Sequence, residues 1–127
     1  MTERLCHWPV VDPSASSPQD LSARGYPSEA YKHLYRRWGE GEIGIIVAGN
    51  VMLRYDAVEA FGNPILQDDH DGRVAAFAEV CKEAKKGGGL FIAQLSHPGR
   101  QGGAALNPRP VSASEVQLEI EWYDRGV

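Results

Sequence analysis

The sequence has 127 residues and a formal net charge of −4, with 13 lysines and arginines against 17 aspartates and glutamates. This is the size of one domain or part of one, and a content of 43% hydrophobic and 24% charged residues is typical of a folded globular protein. The chain lacks the cluster of basic residues that binding to nucleic acid or to an anionic membrane requires. No apolar run reaches the ~20 residues of a membrane helix, no secretion signal begins the chain, and Cys6 and Cys81 stand alone, so we expect a cytoplasmic protein with neither a disulfide nor a zinc site.

The first half of the chain predicts a loop, a helix and a strand. Residues 1–27 are rich in Pro and Ser without a helical or strand period, which predicts a long loop. Ser28 is a good helix N-cap, and Gly39 and Gly41 end the helix that it starts. Its apolar residues recur at helical spacing: Ala30, Tyr31, Leu34, Tyr35 and Trp38. The uncharged run 43–48 then predicts a strand that is covered on both faces, as in a parallel sheet.

The second half repeats this order once. Residues 49–70 predict a long connection, after which Asp71 is the expected N-cap of a second helix. The expected apolar face of this helix consists of Val74, Phe77, Ala78 and Cys81. Gly87 to Gly89 end the helix, and Leu90 to Leu95 form a second strand of the buried type. The alternation of helix and strand predicts an α/β fold with parallel βαβ packing.

Two candidate ligand sites have simpler explanations. The acidic turn 68–71 contains His70 between aspartates, but adjacent residues cannot all point at one ion, and we expect a solvated turn that starts a helix rather than a metal site. The glycines after Lys86 lie at the end of a helix, where its dipole repels anions, and Gly49-Asn50-Val51 lacks the Gly-x-Gly-x-x-Gly pattern. A P-loop or Rossmann site is therefore not expected.

Gln94 carries a stronger signal, because it is a polar residue near the carboxyl end of a buried strand. Ligands of α/β sheets bind at this end, and an amide that both donates and accepts could bind the edge of a planar heterocycle. The alternative is that Gln94 satisfies backbone groups of the next loop and that Arg100 holds this loop in place. Spacing alone does not choose between the two interpretations.

Three parts of the chain resemble the Old Yellow Enzyme family of FMN-dependent oxidoreductases. The most specific part is Gln94-Leu95-Ser96-His97-Pro98-Gly99-Arg100-Gln101, with Pro110-Val111-Ser112-Ala113-Ser114 after it. The second is Arg37-Trp38-Gly39, followed by Ile45-Ile46-Val47-Ala48-Gly49-Asn50. The third is Met1-Thr2-Glu3-Arg4, which is similar to the end of the family's first flavin-contacting segment. The resemblance covers nearly the whole chain in the order of the family.

The resemblance implies a (β/α)8 barrel that holds FMN at the carboxyl ends of its strands. NADH or NADPH reduces the flavin, and the flavin passes hydride to an activated alkene such as an enone. Thr2 matches the residue that binds the flavin carbonyl near its reactive nitrogen, Gly49 the small residue whose backbone lies against the ring edge, and Gln94 the glutamine that binds the pyrimidine. His97 and Arg100 match positions that shape the loop.

Such a barrel needs about 250 residues, so the resemblance assigns residues 1–127 to a truncated N-terminal part with about two βα units. The family's substrate-binding pair, its proton-donating tyrosine and its phosphate-binding loops follow later strands. No residue here matches them, and we assign no catalytic residue and no metal ligand. Two other readings stay open. One is an inactive remnant or protein-binding fragment that associates through open sheet edges, and the other is a small nucleotide-binding βαβ module.

Overall fold

A computed structural model describes residues 5–8, 24–60, 62–104 and 106–116. These residues form a three-stranded parallel sheet with the strand order β1-β2-β3. The elements in chain order are β1 (Leu5–Trp8), α1 (Glu29–Glu40), β2 (Ile45–Met52), α2 (Arg73–Ala84) and β3 (Leu90–Ser96). Within the described residues, no helix is long and apolar enough to cross a membrane. The expected α/β fold with two βα units is confirmed.

The expectation of an unbroken loop over residues 1–27 is wrong at β1. Leu5 pairs with Ile45 and Trp8 with Ala48, parallel to β2. The sequence of four residues is too short to show a strand period, and the pairing with β2 determines its conformation. The remaining residues from 1 to 23 lie outside the part that the structure describes.

Helix α1 forms where the sequence predicts it, but it ends at Glu40 with Gly41 as its C-cap, so Gly39 lies inside the helix. The Ser28 hydroxyl accepts a hydrogen bond from the Tyr31 backbone N–H at 3.2 Å, which confirms the N-cap. Tyr31 and Tyr35 are buried side by side, and the Tyr31 hydroxyl donates to that of Tyr35 at 3.3 Å. Burial raises the pKa of Tyr31 above its usual value. The Tyr35 ring also lies edge-on to the ring of Phe91 on β3, with centroids 5.4 Å apart.

The main core lies between the two helices and the sheet. Its buried members are Tyr31, Tyr35, Ile46, Ala48, Val51, Val80 and Ala84. Glu83 on α2 joins the helices from the side, because its carboxylate binds both Arg36 of α1 at 2.5 Å and Lys86 at 2.7 Å. The hydrogen bond from Lys86, followed by that from Arg36, holds the pKa of Glu83 below its usual value.

Helix α2 differs from the expectation in its start and its buried face. The N-cap is Gly72 in a left-handed conformation, not Asp71, whose carboxylate instead accepts from the Arg73 backbone N–H at 3.1 Å. The buried residues are Arg73, Val80, Glu83 and Ala84. Of the expected face, Phe77 packs against the main core, whereas Val74 is 49% exposed. The apolar pattern failed at the start of the helix because the buried face includes Arg73, a residue type that is almost never fully buried unless it is paired.

The backbone at the end of α1 lies directly against the backbone at the end of α2 and against the turn that follows α2. A Cβ atom at Gly39 would lie 2.6 Å from the carbonyl oxygens of Glu83 and Ala84, and one at Gly87 would lie 2.2 Å from the Gly39 carbonyl oxygen. Glycine is therefore required at both positions for a steric reason that the sequence alone does not show. This contact fixes the relative position of the two helices.

Candidate functional site

The carboxyl ends of β2 and β3 meet at a β-bulge. Ala48 pairs with Ala93 and Val51 with Leu95, so Gly49 and Asn50 together lie opposite the single residue Gln94. The strand thus continues to Met52, beyond residue 49, where the sequence predicted a loop. Bulges of this kind redirect side chains and are frequent beside binding sites.

Asn50 supplies the conformation that the bulge requires. Its φ is +46°, in the left-handed region that asparagine tolerates better than most residues. Its side-chain amide donates to the carboxylate of Glu59 in the following loop. Sequence analysis missed Asn50 as a structural residue, although an asparagine directly after a glycine in an apolar strand is a signal for a bulge or turn.

The structure brings two of the three sequence-predicted flavin contacts together. Gly49 is buried, and Gln94 is half-buried next to it across the sheet. Gln94 also has an interaction within the protein. Thr2 lies outside the described residues, so its position relative to the other two stays a prediction. The two residues lie at the carboxyl end of the sheet, where ligands of parallel α/β folds bind.

The loop after β3 is stabilised by a hydrogen bond to the side chain of its histidine, His97. The His97 Nδ1 atom accepts a hydrogen bond from the Gly99 N–H at 3.1 Å, and Gly99–Gln101 form a short 3-10 helix. This agrees with the expected loop-shaping role of His97. The 3-10 helix and residues 112–114 line an open groove of about 420 Å³. Gly49 and Gln94 do not line this groove, so it is separate from the predicted flavin contacts.

The loop after β2 is anchored by Arg73. Its side chain is fully buried and donates to both carboxylate oxygens of Asp71, at 2.9 and 2.7 Å, and to the Ile65 carbonyl oxygen at 3.0 Å. A weaker bond of 3.3 Å reaches the carbonyl oxygen of Arg24. The guanidinium also lies 4.9 Å from the centre of the Tyr55 ring. One side chain therefore holds three separate segments together beneath the carboxyl end of the sheet.

The polar side chains of the acidic turn 68–71 form hydrogen bonds with one another and with Tyr55. Asp68 accepts a hydrogen bond from Tyr55 at 3.0 Å and contacts the His70 ring at 2.5 Å. The hydrogen bond to His70 is the main reason that the pKa of Asp68 lies below its usual value. The pKa of Tyr55 is raised to about 12, mainly by burial and then by the hydrogen bond from its hydroxyl to Asp68. The geometry is that of a hydrogen-bonded loop on the surface.

The two loops at this end of the sheet are in contact with each other. Asn107, which follows β3, donates to the Asp56 carboxylate at 3.3 Å, and Asp56 also accepts two bonds of 2.8 Å from Arg54. The hydrogen bond from Arg54 is the main cause that lowers the pKa of Asp56, and His97 contributes in the same direction. The loops after β2 and β3 thus form one rim beside the bulge.

Comparison with curated proteins finds flavin oxidoreductases of fungi. The chain is 42% identical over 124 residues to an NADH-dependent flavin oxidoreductase of Aspergillus parasiticus, which covers 95% of this chain and 26% of that protein. It is 34% identical over 94 residues to one of a Neonectria species and 32% identical over 91 residues to one of Hypocrea jecorina. These matches cover 12% and 22% of the two proteins. No family model matches the chain.

Solved structures share the fold. The Old Yellow Enzyme homologue of Zymomonas mobilis superposes with a TM-score of 0.64 at 20% identity, over 84% of this chain and 28% of that one. The Old Yellow Enzyme of Trypanosoma cruzi superposes with a TM-score of 0.63 at 19% identity, over 89% of this chain and 32% of that one. The chain thus spans between a quarter and a third of the solved barrels, and about a quarter or less of the curated relatives.

Proposed function

Since this chain belongs to the Old Yellow Enzyme family of flavin oxidoreductases, we propose that it supplies part of the FMN-binding edge of an NAD(P)H-dependent oxidoreductase. The observation that carries the proposal is the strand register, which sets Gly49 and Asn50 directly against Gln94 at the carboxyl end of the sheet. Family resemblance selects Gly49 and Gln94 from the sequence, and the structure places them side by side.

The donor set fits the edge of a flavin ring. Gly49 has no side chain, so a planar ring can approach the strand backbone there. The Gln94 carboxamide has two donors and an acceptor, which match the alternating carbonyl and N–H groups of a pyrimidine edge. Thr2 is the third proposed contact, a hydroxyl donor near the reactive part of the ring. When bound, FMN supplies the hydride-carrying centre that links reduced nicotinamide to an activated alkene such as an enone.

The residues of this chain bind and orient in this proposal. Gln94 fixes the rotation of the ring in its plane, while the bulge at Gly49 sets how close the ring lies to the sheet. Charged phosphate contacts are assigned to other parts of the barrel, because phosphate sites of this fold follow the last two strands. We also propose a cytoplasmic location, which rests on the two isolated cysteines, because secreted domains of this size are often rich in disulfides.

The test replaces Gln94 in a chimera that carries residues 1–127 in place of the matching segment of the Aspergillus parasiticus relative. Gln94→Ala removes hydrogen bonds worth about 0.5–1.5 kcal/mol each, so we expect FMN affinity to fall about tenfold in a fluorescence titration. Gln101→Ala, which removes the same amide from the exposed 3-10 helix, is the matched control and should leave affinity unchanged. Equal affinities of all three proteins would contradict the role of Gln94. The chain of 127 residues alone, without charged phosphate contacts, is expected to retain no stoichiometric FMN on gel filtration.

A further inference from the structure

A hydrogen bond between two side chains links the bulge to the loop after β2. The amide nitrogen of Asn50 donates to a carboxylate oxygen of Glu59, nine residues further along the chain. Asn50 is half-buried at the end of the sheet, whereas Glu59 is exposed. Neither residue is one of the flavin contacts proposed above. The bond therefore joins a carboxylate of the loop to the residue that follows Gly49.

The backbone conformation at position 50 does not by itself require an asparagine. Its φ of +46° lies in the left-handed region, which glycine enters without steric cost. Asparagine tolerates this region less well than glycine, but it has an amide group that glycine lacks. In this structure that amide binds Glu59. The side chain of Asn50 thus has a use beyond the turn of the backbone.

Glu59 is held in place by the residue before it. Val58 is buried and packs with Met52 of β2 and with Ile65. The carboxylate of Glu59 therefore belongs to a segment that is packed against the same strand as Asn50. A hydrogen bond between two anchored groups restricts the bulge effectively, because little further conformational freedom is lost when it forms.

Gly49 needs such a restraint if its backbone is to receive a flavin ring. Glycine is the most flexible residue, and it has no side chain that its neighbours can hold. Binding groups are most effective when they are fixed before the ligand arrives. The strand pairing fixes Ala48 and Val51 on either side of the bulge. The hydrogen bond from Asn50 adds a fixed point between them.

We propose that Asn50 and Glu59 are positioning residues for the flavin, because their hydrogen bond holds the backbone of Gly49 in the conformation that receives the edge of the ring. This inference rests on the proposed function and deepens it. Neither side chain contacts the flavin. Glu59 orients Asn50, and Asn50 orients Gly49. The bond is present in the chain without flavin, so the bulge is arranged before FMN binds.

The test reverses the direction of this hydrogen bond in the chimera that is used to test Gln94. Asn50→Asp places a second carboxylate against Glu59, so repulsion replaces the bond, but aspartate still tolerates the left-handed region. FMN affinity should fall about fivefold in the fluorescence titration. The double variant Asn50→Asp with Glu59→Gln has a donor opposite an acceptor again, at the original net charge. It should bind FMN within about twofold of the unsubstituted chimera.

Asn107→Asp is the matched control. Asn107 is half-buried like Asn50 and also donates to a carboxylate, that of Asp56, but it lies in the loop after β3 rather than at the bulge. Its replacement creates the same repulsion on the same rim and should leave FMN affinity unchanged. Glu59→Ala is a second variant that removes the acceptor from an exposed position without changing the strand. It should weaken FMN binding about threefold.

FMN affinity and the visible circular dichroism of the bound flavin separate positioning from a structural role. A pair that only stabilised the fold would lower the urea midpoint of Asn50→Asp but leave both flavin readouts unchanged. That result, equal affinities of Asn50→Asp and Asn107→Asp, or a double variant that binds no more tightly than Asn50→Asp would each overturn the inference. If Asn50→Asp does not fold, unchanged affinity of Glu59→Ala overturns it instead. Weaker binding by Gln94→Ala alone would preserve the proposed function and contradict only the role of Asn50 and Glu59.

Discussion

Replacement of Arg73 by methionine tests whether one buried guanidinium anchors the loop after β2. The side chain is 0% exposed and donates to Asp71, Ile65 and Arg24. Without it, the Ile65 carbonyl oxygen loses its charged donor, at a cost of about 1–3 kcal/mol. Asp71 loses two charge-assisted bonds but remains 27% exposed, so water compensates in part. We expect the free energy of unfolding to fall by about 3 kcal/mol.

Arg54 provides a control of the same geometry in a different environment. Like Arg73, it binds an aspartate two residues away through both carboxylate oxygens, Asp56 at 2.8 Å each, but its side chain is 54% exposed. Arg54→Met should therefore leave the urea midpoint nearly unchanged. Both variants are compared with the unsubstituted chain by urea unfolding followed through tryptophan fluorescence. Equal midpoints for Arg73→Met and Arg54→Met would refute the argument that burial makes the first pair important.

Two further predictions concern the helix contact and acid stability. Gly39→Ala should lower the melting temperature and reduce the free energy of unfolding by about 2 kcal/mol, because the new Cβ would lie 2.6 Å from the Ala84 carbonyl oxygen. Gly41→Ala is the control and should be neutral, since its Cβ would meet only contacts of 3.4 Å or more. Equal changes in melting temperature would contradict the close contact at Gly39. The hydrogen bonds from Arg73 hold the pKa of Asp71 below its usual value, so the ionised carboxylate stabilises the fold above pH ~4 and this share is lost as the pH falls through the lowered pKa. Arg73→Met should then show a weaker loss of stability between pH 5 and 2 in a urea series, and an unchanged slope would count against this linkage.

Local signals in the sequence were sufficient for most of the regular elements. Ser28 and the aromatic spacing predicted α1, an uncharged β-branched run predicted the core of β2, and an uncharged apolar run predicted β3. These features depend on neighbours in sequence, and the structure confirms them. The identity of the family was also accessible from the sequence, since the residues around Gln94 carry a pattern specific enough to recognise.

What the sequence did not show depends on contacts between distant segments. Strand β1 exists because its backbone pairs with β2, and nothing in Leu5–Trp8 itself requires that pairing. An apolar pattern predicts that Arg73 lies on the surface. It is buried because it binds Arg24, Ile65 and Asp71, and these contacts are not visible in the local sequence. The sequence of β3 predicted a strand of the buried type. Among the described residues this expectation is wrong, because β3 lies at the edge of the sheet and several of its apolar side chains are exposed.

The bulge at Gly49 and Asn50 also determines the face of β2 on which Val51 and Met52 lie, and therefore the hydrophobic cluster that each of them joins. In an unbroken strand, Val51 would point away from Ile46 and Ala48, since side chains alternate. The bulge restores it to their side, where it joins the main core, and sends Met52 to a second cluster with Val58 and Ile65. A single-residue deletion at Gly49 or Asn50 would leave both assignments unchanged, because Val51 would then alternate regularly with Ile46 and Ala48. The bulge therefore holds one residue more than the sheet pairing requires, without changing the cluster that Val51 or Met52 joins.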